Sequence, residues 1–557
     1  MIAMNYLSKI NLSPERYLKR VLLPAVGVSA AAGVAVYLLV PESAGRLRSA
    51  AFVLPFLGVL YAVMYPYLEI DRRKGEIESR IHIFITTFGV LSISEVDRKH
   101  ILKIITEKKE LGYLTKEVHK LYVLVDRWNQ SLAKACRFLA RRSPSKIFSD
   151  FLDRFAHSQD SGETMEGFLM KEQETVMNDY ASYYKGALYE IDVFKEIYTA
   201  LLLSLAFLMA FIIIIPILVG ESIVRLTTYA VFFFLVVEVG IAYFIKSISP
   251  YDPIWHSRDV VTKVDRKMLL AFVASLAACF VLGILLLMLR HGELLSRVPF
   301  QILFALSITP LLYAGYVARG EEAKVKRKDE NFPSFLRTLG SSASARGGLI
   351  LEPLYFLSAH DFGPLTQDIR NLYRRMALRV DMLKSWRFFS AETGSHLIDV
   401  FSKLFVESIN LGADPERVAE IISSNFSRML TLRKQKFQVN ASFIGIVYGI
   451  TAGMAFSVAI SFTIAKVINA MYSNLNVDLG TMAGIFYMTD VSNLALVSYL
   501  IFAAFVLHSL ISAVLIRVID GGHYLNSLIH FVFLVWLSAV VILMSEKVVT
   551  SLISVEF

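Results

Sequence analysis

Long uninterrupted apolar runs are the feature that most constrains how this chain of 557 residues can fold. A helix needs about 20 apolar residues to cross the roughly 30 Å of hydrocarbon in a bilayer, and nine runs reach that length. Charged residues make up only 19% of the chain, below the roughly 25% of soluble domains. The sequence therefore predicts nine transmembrane helices, at residues 22–40, 49–67, 197–219, 226–247, 268–289, 298–317, 439–471, 491–518 and 527–544.

Basic residues at the ends of these runs predict the orientation of the chain. They precede the first run and follow the second and the sixth, and Arg428, Arg433, Lys434 and Lys436 precede the seventh. Because Lys and Arg favour the cytoplasmic side, we expect a multi-pass cell-membrane protein with a cytoplasmic N-terminus and an exterior C-terminus. The predicted domains are an N-terminal segment with two spans (1–67), a cytoplasmic bundle (68–196), four spans (197–317), a second cytoplasmic bundle (318–438) and three spans (439–557).

The two cytoplasmic segments are too long and too polar to be loops, and their pattern is helical. Phe148, Phe151 and Phe155 follow one helix face. Ser143 followed by Pro144 predicts the start of that helix, with a hydroxyl cap and proline in the first turn. No alternating pattern is long enough to indicate a sheet, so the predicted fold class is all-α.

The two cytoplasmic segments also repeat each other at a shift of 250 or 251 residues. Their shared positions keep aromatic residues, glycines and helix-capping residues, as two copies of one helical bundle should. The matches include Phe84-x-x-Thr87-x-Gly89 with Phe335-x-x-Thr338-x-Gly340, Arg137-Phe138 with Arg387-Phe388, Phe151 with Phe401, and Gly162 with Gly412.

Paired cytoplasmic bundles, each followed by membrane helices, resemble the type II secretion F-domain family, the platform proteins of type IV pilus-like machines. Four stretches are closest to the archaellum (archaeal flagellum) assembly members of that family. These stretches are FLDRFAHSQDSGE at 151–163, LGSSASARGG at 339–348, HDFGPLTQDIRNLY at 360–373 and FVESINLGADPERVAEIIS at 405–423.

The resemblance implies a non-enzymatic membrane platform at the base of a filament that serves motility or adhesion. Such a platform would bind a hexameric secretion ATPase through its cytoplasmic bundles and pass pilin-like filament subunits (archaellins) into the filament. A secondary transporter is the alternative, since many spans and an internal repeat would also suit one. The repeat lies mainly in the cytoplasmic segments, however, whereas transporters repeat their membrane bundles.

The sequence contains no motif for catalysis or for a cofactor. It has no G-x-x-x-x-G-K-[ST] phosphate loop, no H-E-x-x-H and no C-x-x-C. His523 and His530 are the nearest approach to a metal pair, and we expect no metal site there. The sequence therefore predicts no catalytic residues, no cofactor and no metal.

Two basic runs are the candidate docking sites for the ATPase, because Arg forms bidentate pairs with carboxylates. The alternative is a solvated face, or one held near anionic membrane lipid. Nucleic-acid binding is disfavoured, since no stacking platform of interleaved aromatics is evident. The first run contains Lys134, Arg137, Arg141, Arg142 and Lys146, and the second contains Arg370, Arg374, Arg375, Arg379, Lys384 and Arg387.

Two features stand out within the predicted spans. Gly445, Gly449 and Gly453 recur every four residues and would let another helix approach, either in the same chain or in a homodimer. Glu238 lies near the middle of the fourth run, where a carboxylate must face the bundle and find a partner, or stay protonated. We favour a hydrogen bond between Glu238 and a Ser or Thr of a neighbouring helix over an ion or proton path, because a lone acid with no second intramembrane charge close by makes a poor relay.

Overall fold

The computed structural model describes residues 13–39, 53–94, 96–219, 222–256, 261–292, 295–474 and 494–553. In these residues the regular structure is entirely helical, and the one β-type contact is an isolated antiparallel bridge between Trp255 and Ser395. The predicted all-α fold class is therefore confirmed.

The helices have the following bounds. A first turn, Pro14–Tyr17, and a π turn, Leu18–Leu22, lead into α1. Short 3-10 turns lie at Lys109–Leu111, Gly363–Leu365 and Tyr524–Asn526. The helices are α1 (Leu23–Leu39), α2 (Val53–Ser92), α3 (Arg98–Thr106), α4 (Tyr113–Asp126), α5 (Leu132–Ala140), α6 (Lys146–Asp160), α7 (Met165–Val219), α8 (Ile223–Ile248), α9 (Lys263–His291), α10 (Phe300–Ile308), α11 (Leu311–Ser344), α12 (Leu351–Ser358), α13 (Thr366–Ala377), α14 (Met382–Thr393), α15 (His396–Asn410), α16 (Pro415–Asn474), α17 (Leu494–Asp520) and α18 (Ser527–Ile553).

Seven helices in the described residues are long and apolar enough to cross a membrane. An eighth span is formed if α10 and α11, which meet at a 40° bend, count as one broken helix. The predicted second span, 49–67, begins outside the described residues, and the count of nine remains a prediction. The chain is a multi-pass membrane protein. The seven helices lie at Glu15–Val34, Met165–Ile215, Ile223–Ile248, Lys263–His291, Pro415–Ile468, Leu494–Asp520 and Tyr524–Leu552.

The chain divides into two compact units. The first comprises residues 1–184, 337–349 and 404–425. Its core is a phenylalanine cluster in which Phe84 and Phe151 meet edge to face at 5.5 Å, and Phe88 and Phe155 do the same at 5.5 Å. The phenylalanine face that the sequence predicts on α6 therefore packs against α2.

The second unit comprises residues 185–336, 350–403 and 426–557. It contains the membrane helices α8, α9, α10, α17 and α18, together with the apolar parts of α7 and α16. One part of its core packs α10 against α17 and α18 through Ala305, Phe502, Val535 and Ala539. A second part, outside the apolar runs, packs Phe335 against Phe389 at 6.1 Å.

Helices α2 to α7 and α11 to α16 follow each other in the same order and with similar lengths. Positive φ angles recur at matching places in the two series. Gly112 and Gly363 have φ of 57° and 59°, and Gly162 and Gly412 have 75° and 84°. The non-glycine residues with positive φ in the described chain are Asn129 and Arg379, at 54° and 58°. These three pairs are 251, 250 and 250 residues apart.

The predicted cap of α6 was wrong by two residues. The backbone N–H of Ser143 donates to the Leu139 carbonyl, so Ser143 still closes the preceding helix. Helix α6 begins at Lys146, and the Ser145 hydroxyl accepts from the backbone N–H of Phe148 at 3.4 Å. Ser395, 250 residues later, accepts in the same way from the N–H of Ile398 at 3.2 Å.

Candidate functional site

Separate segments of the second unit meet around a buried ionic cluster. Arg433 on α16 lies at its centre, with Nη2 2.6 Å from Asp252 Oδ1 and Nη1 2.9 Å from Asp329 Oδ2. Lys436 Nζ lies 3.1 Å from Asp252 Oδ2. These four side chains are at most 3% exposed. Two cations face two carboxylates, so every buried charge has an ionic partner, as buried charges require.

The two carboxylates of this cluster differ in their affinity for a proton. Burial raises the pKa of Asp329 to about 6, although Arg433 opposes the shift. Burial alone would also raise the pKa of Asp252, but Arg433 and Lys436 together hold it well below its usual range. Asp252 therefore stays ionised to lower pH than Asp329, which is the member of the cluster that takes up a proton first as pH falls.

The loop between α8 and α9 is fixed by backbone hydrogen bonds on two sides. The Ile254 N–H donates to the Gly521 carbonyl at 3.0 Å, in the turn between α17 and α18. The Ile254 carbonyl accepts from the His396 N–H at 3.0 Å, and the His256 N–H donates to the Gly394 carbonyl at 3.1 Å. A Cβ on Gly521, which has φ of +72°, would lie 2.6 Å from the carbonyl oxygen of Asp252. Only glycine fits this close approach without strain.

A second set of charges joins the α17–α18 turn to α11. Arg517 Nη1 lies 2.7 Å from Asp520 Oδ2 and 3.5 Å from Glu322 Oε1. Lys326 Nζ lies 3.0 Å from Glu322 Oε1, and Asn526 donates to Glu322 Oε2 at 3.2 Å. The α8–α9 loop, the α17–α18 turn and the charged stretches of α11 and α16 therefore lie at the same end of these membrane helices.

A polar cluster also lies within the membrane helices, around Glu238 on α8. Its Oε1 is 2.7 Å from Nδ1 of His508 on α17, and Nε2 of His508 is 3.0 Å from the hydroxyl of Thr451 on α16. The Tyr198 hydroxyl is 2.9 Å from the Ser512 hydroxyl and donates to Glu238 at 3.5 Å. Ser512 donates to Glu238 at 3.4 Å. All five side chains are fully buried or nearly so, and Glu238 Oε2 has no hydrogen-bond partner in the described residues.

The first basic run lies on and just after α5, and its members are exposed. Arg137 forms an ion pair with Asp160 on α6. The guanidinium of Arg142 lies 4.0 Å from the centre of the Phe138 ring. Two of the cations are thus held by neighbours in the same unit, while the run as a whole still faces outward. Its members are Lys134, Arg137, Arg141, Arg142 and Lys146.

The second basic run extends over α13 and α14, and its members other than Arg375 are exposed. Arg375 is half-buried, forms an ion pair with Glu392 and lies 5.3 Å from the centre of the Phe388 ring. The Nε of Arg370 donates to the Ser358 carbonyl at 3.0 Å. The other members of this run are Arg374, Arg379, Lys384 and Arg387.

Each basic run contains exposed apolar side chains that the sequence alone does not single out. Phe138 is 44% exposed and Phe388 is 50% exposed. At the turn before each of these helices, Trp128 is 69% exposed and Leu378 is 78% exposed. We call the first set (Trp128, Phe138 and the first basic run) surface A, and the second set (Leu378, Phe388 and the second basic run) surface B. Trp and Arg are enriched in protein-binding hot spots, whereas Leu is under-represented there.

The glycine stripe of α16 is exposed. A Cβ placed on Gly445, Gly449 or Gly453 would meet no atom of the described residues within 4 Å. No helix of the described chain packs closely on these three positions.

Sequence reasoning found Glu238 but not the other members of the membrane cluster, of which His508 lies closest to the carboxylate. It is a single histidine in the apolar run 491–518, and Glu238 precedes it by 270 residues. An ionisable residue inside a span is itself the signal that could have drawn attention to it. The pairing depends on the packing of α8 on α17, which no local pattern gives.

Comparison with known proteins identifies the family of the chain. Residues 84–213 match the family of protein F of the type II secretion system. Over 560 aligned residues the chain is 43% identical to flagella accessory protein J of Methanocaldococcus jannaschii, covering 100% of this chain and 99% of the relative. It is 40% identical over 554 residues to flagella accessory protein J of Methanococcus voltae, covering 99% of each. No solved structure matches the chain. The chain therefore belongs to the flagella accessory protein J family, an archaellum-assembly branch of the type II secretion F-domain proteins, as its sequence motifs predict.

Proposed function

We propose that the chain is the membrane platform of an archaellum or a related type IV pilus-like machine. In this role it anchors a cytoplasmic secretion ATPase and couples it to the assembly of pilin-like subunits into the filament. The family membership supports the platform role. The observation that carries the docking function is the presence of surfaces A and B, each with exposed basic residues around an exposed phenylalanine.

The proposal includes two copies of one helical bundle. The matched helix order, the three pairs of positive φ angles and the two capping serines support it. Surfaces A and B are built on matched positions, because Arg137 and Phe138 precede Arg387 and Phe388 by 250 residues. A duplicated bundle offers two related footprints, which suits a ring-shaped partner that repeats its own surface.

The proposed orientation places both bundles in the cytoplasm, with the N-terminus inside and the C-terminus outside. The positive charges at the span ends support it. The grouping of the α8–α9 loop, the α17–α18 turn and the charged stretches of α11 and α16 at one end of the helices agrees with the same alternation of spans.

In this proposal the platform has no catalytic activity of its own. The sequence lacks a phosphate loop, so ATP hydrolysis belongs to the partner ATPase. The exposed glycine stripe of α16 would provide a homodimer contact, because small residues let membrane helices approach closely.

A secondary transporter is the second candidate, and the buried polar cluster around Glu238 is the observation that favours it. The Glu238–His508 pair is fully buried, and a cavity lined by Phe234, whose ring lies 5.9 Å from that of His508, has a volume of about 10 Å³. This is too small for a solute, so the platform is the better supported function.

The docking proposal is tested by reversing charges on surfaces A and B. Lys134→Glu with Arg141→Glu changes surface A, and Arg374→Glu with Lys384→Glu changes surface B. These four side chains are exposed, and the ion pairs described above do not involve them. We expect each double variant to weaken co-purification with the secretion ATPase at least about tenfold, or about 1.4 kcal/mol. Binding of the wild type should also weaken as salt increases, because screening acts over about 8 Å at physiological ionic strength.

The matched control is Lys99→Glu with Lys103→Glu, which changes the charge by the same amount on exposed positions of α3. It should leave ATPase binding unchanged. All three variants should fold, since exposed substitutions usually shift stability by less than about 0.5 kcal/mol. If both double variants bind the ATPase as well as the control does, surfaces A and B are not the docking site.

A further inference from the structure

A groove lies along the start of α9, between this helix and α11. Its volume is about 530 Å³, within the roughly 300–1,000 Å³ of sites that hold small ligands. Helix α9 contributes lining residues from Lys263 to Ala274, and α11 contributes Tyr313. Both stretches belong to the second unit. Surfaces A and B and the ionic cluster do not contribute to the lining in the described residues, so the groove is separate from the proposed docking function.

The lining of the groove changes from basic to apolar along α9. Its members on this helix are spaced as i, i+3, i+4, i+7, i+8 and i+11, which is one helix face. At 1.5 Å per residue, the first basic residue and the last alanine are about 16 Å apart along the helix axis. The basic members are Lys263, Arg266 and Lys267, and the apolar members are Leu270, Ala271 and Ala274.

The basic end of the groove has more positive than negative charge. Lys267 Nζ lies 2.7 Å from Glu321 Oε1 on α11, and Lys324 Nζ lies 3.1 Å from the same oxygen. Two lysines therefore share one carboxylate. Lys263 and Arg266 are exposed, and neither has an ion pair in the described residues. These two cations can bind an anion without breaking an existing contact.

The acidic residue closest to these cations in sequence has a structural role. Asp265 Oδ2 accepts from the backbone N–H and from the hydroxyl of Thr262, both at 2.8 Å. The Thr262 hydroxyl in turn accepts from the Asp265 N–H at 3.2 Å. This capping box fixes the first turn of α9, and with it the backbone positions of Lys263 and Arg266. Asp265 does not line the groove.

The apolar end of the groove belongs to a helix that is apolar and long enough to cross a membrane. Leu270 is 70% exposed, so in a bilayer its side chain faces hydrocarbon. Ala271 and Ala274 have small side chains, which leave room beside the helix for a chain of methylene groups. A ligand that fills the groove therefore needs an anionic head and a hydrocarbon tail.

We propose that the groove binds an anionic phospholipid, with the headgroup phosphate at Lys263 and Arg266 and a hydrocarbon chain along Leu270 and Ala274. The inference goes beyond the platform function and does not depend on it. Arg binds phosphate through a planar pair of donors, and Lys binds it as a point charge. Basic pockets between membrane helices bind lipid headgroups in this way. A lipid matches both ends of the groove, whereas a water-soluble phosphate compound matches only the basic end.

Native mass spectrometry of the purified full chain, titrated with phosphatidylglycerol or with phosphatidylcholine, tests the proposal. The two lipids have the same phosphate, but choline adds a positive charge that cancels the negative one. The wild type should bind its first phosphatidylglycerol at least about tenfold more tightly than phosphatidylcholine. Lys263→Gln with Arg266→Gln should remove this preference. A wild type that binds both lipids equally well would overturn the proposal.

The matched control is Lys246→Gln with Arg319→Gln. It removes one lysine and one arginine from exposed positions of α8 and α11 that do not line the groove. Both double variants should fold, because they change exposed side chains without an ion pair in the described residues. The control should keep the preference for phosphatidylglycerol. An equal loss of preference in the two double variants would mean that total charge, and not the groove, selects the lipid.

The apolar end is tested without a change of charge. Ala274→Phe fills this end of the groove and should weaken binding of phosphatidylglycerol several-fold, because the hydrocarbon chain loses its place. Ala277→Phe adds the same side chain at an exposed position of α9 outside the lining and should leave binding unchanged. Glycerol phosphate, which has the phosphate without the hydrocarbon, should not displace the lipid. If glycerol phosphate displaces it, or if Ala274→Phe binds the lipid as the wild type does, the groove is not a lipid site.

Discussion

The two helical series contain the same carboxylate–serine contact in different electrostatic settings. In the first, the Ser145 hydroxyl donates to Glu78 on α2 at 3.1 Å. In the second, the Ser395 hydroxyl donates to Asp329 on α11. The carboxylates are 251 residues apart and the serines 250. In the described residues, Asp329 also contacts an arginine, Arg433, and Glu78 does not.

The comparison shows that the same helix-capping serine and carboxylate can occur with or without a neighbouring buried cation. Burial raises the pKa of Glu78, and the charge of Lys74 and the Ser145 hydroxyl act against that shift without a contacting cation. Asp329 also accepts from a serine, Ser395, but it belongs to the ionic cluster that holds the α8–α9 loop through Asp252. Ser145 caps α6 and Ser395 caps α15. Through Asp329 and Arg433, the start of α15 is also linked to Asp252 in the α8–α9 loop.

The largest expected effect comes from removing the central cation of the second setting. Arg433→Met removes the guanidinium that Asp252 and Asp329 share, in a site with almost no solvent. We expect a loss of about 3–5 kcal/mol in unfolding free energy, as for other broken buried ion pairs. Thermal unfolding of the purified chain measures it.

The matched change in the first setting is Lys74→Met, which removes the exposed cation that acts on Glu78. Lys74→Met should lower the unfolding free energy by less than about 1 kcal/mol. Equal losses in the two variants would mean that the Arg433 cluster adds nothing to the carboxylate–serine contact.

A smaller effect should appear in the dependence of the unfolding free energy on pH. A raised carboxyl pKa means that the folded state keeps a proton that the unfolded state has lost, so stability falls as pH rises through the window between the two values. For Asp329, with a folded pKa of about 6, the window runs from about pH 4 to about pH 6. The unfolding free energy of the wild type should fall relative to Asp329→Asn by about 3 kcal/mol across it.

Glu78→Gln applies the same test to the first setting. The pKa of Glu78 is also raised by burial, so this variant should remove a pH dependence of the same sign. A wild type whose stability rises relative to Asp329→Asn over this window would contradict the assignment of Asp329 as the titrating member of the cluster.

The smallest expected effect concerns the turns before α5 and α14. Arg379 and Asn129 both have positive φ, which asparagine tolerates better than arginine. Arg379→Gly should therefore stabilise the chain by up to about 1 kcal/mol, whereas Asn129→Gly should change it little. A larger gain from Asn129→Gly would show that the two turns, despite similar angles, are not equivalent in strain.

Sequence patterns predicted the elements whose signal is local. The phenylalanine face of α6 and the apolar runs follow from helical periodicity and from the length needed to cross a bilayer. The start of α6 was misplaced because Ser143 and Ser145 flank the same proline and only the backbone bond from Ser143 to Leu139 distinguishes them.

The charged site could not be predicted, because its members come from distant segments. Arg433 and Lys436 precede an apolar run, and the sequence assigns them to the positive flank of a span. The structure buries both against Asp252, a residue about 180 positions earlier in the chain. The number of basic residues beside a span predicts the side of the membrane on which they lie. Whether such residues are buried depends on which loop of the folded chain packs against them.

Helix α16 is continuous over 60 residues, which at 1.5 Å per residue corresponds to a length of about 90 Å. A rigid rod converts a small change of angle into a large displacement. If its N-terminal end is held and the rod tilts by about 5°, the far end moves by about 8 Å, more than one helical turn. One helix therefore carries both Arg433 of the ionic cluster and Thr451 of the polar cluster, and a tilt about its N-terminal end would displace Asn474 more than either of these residues.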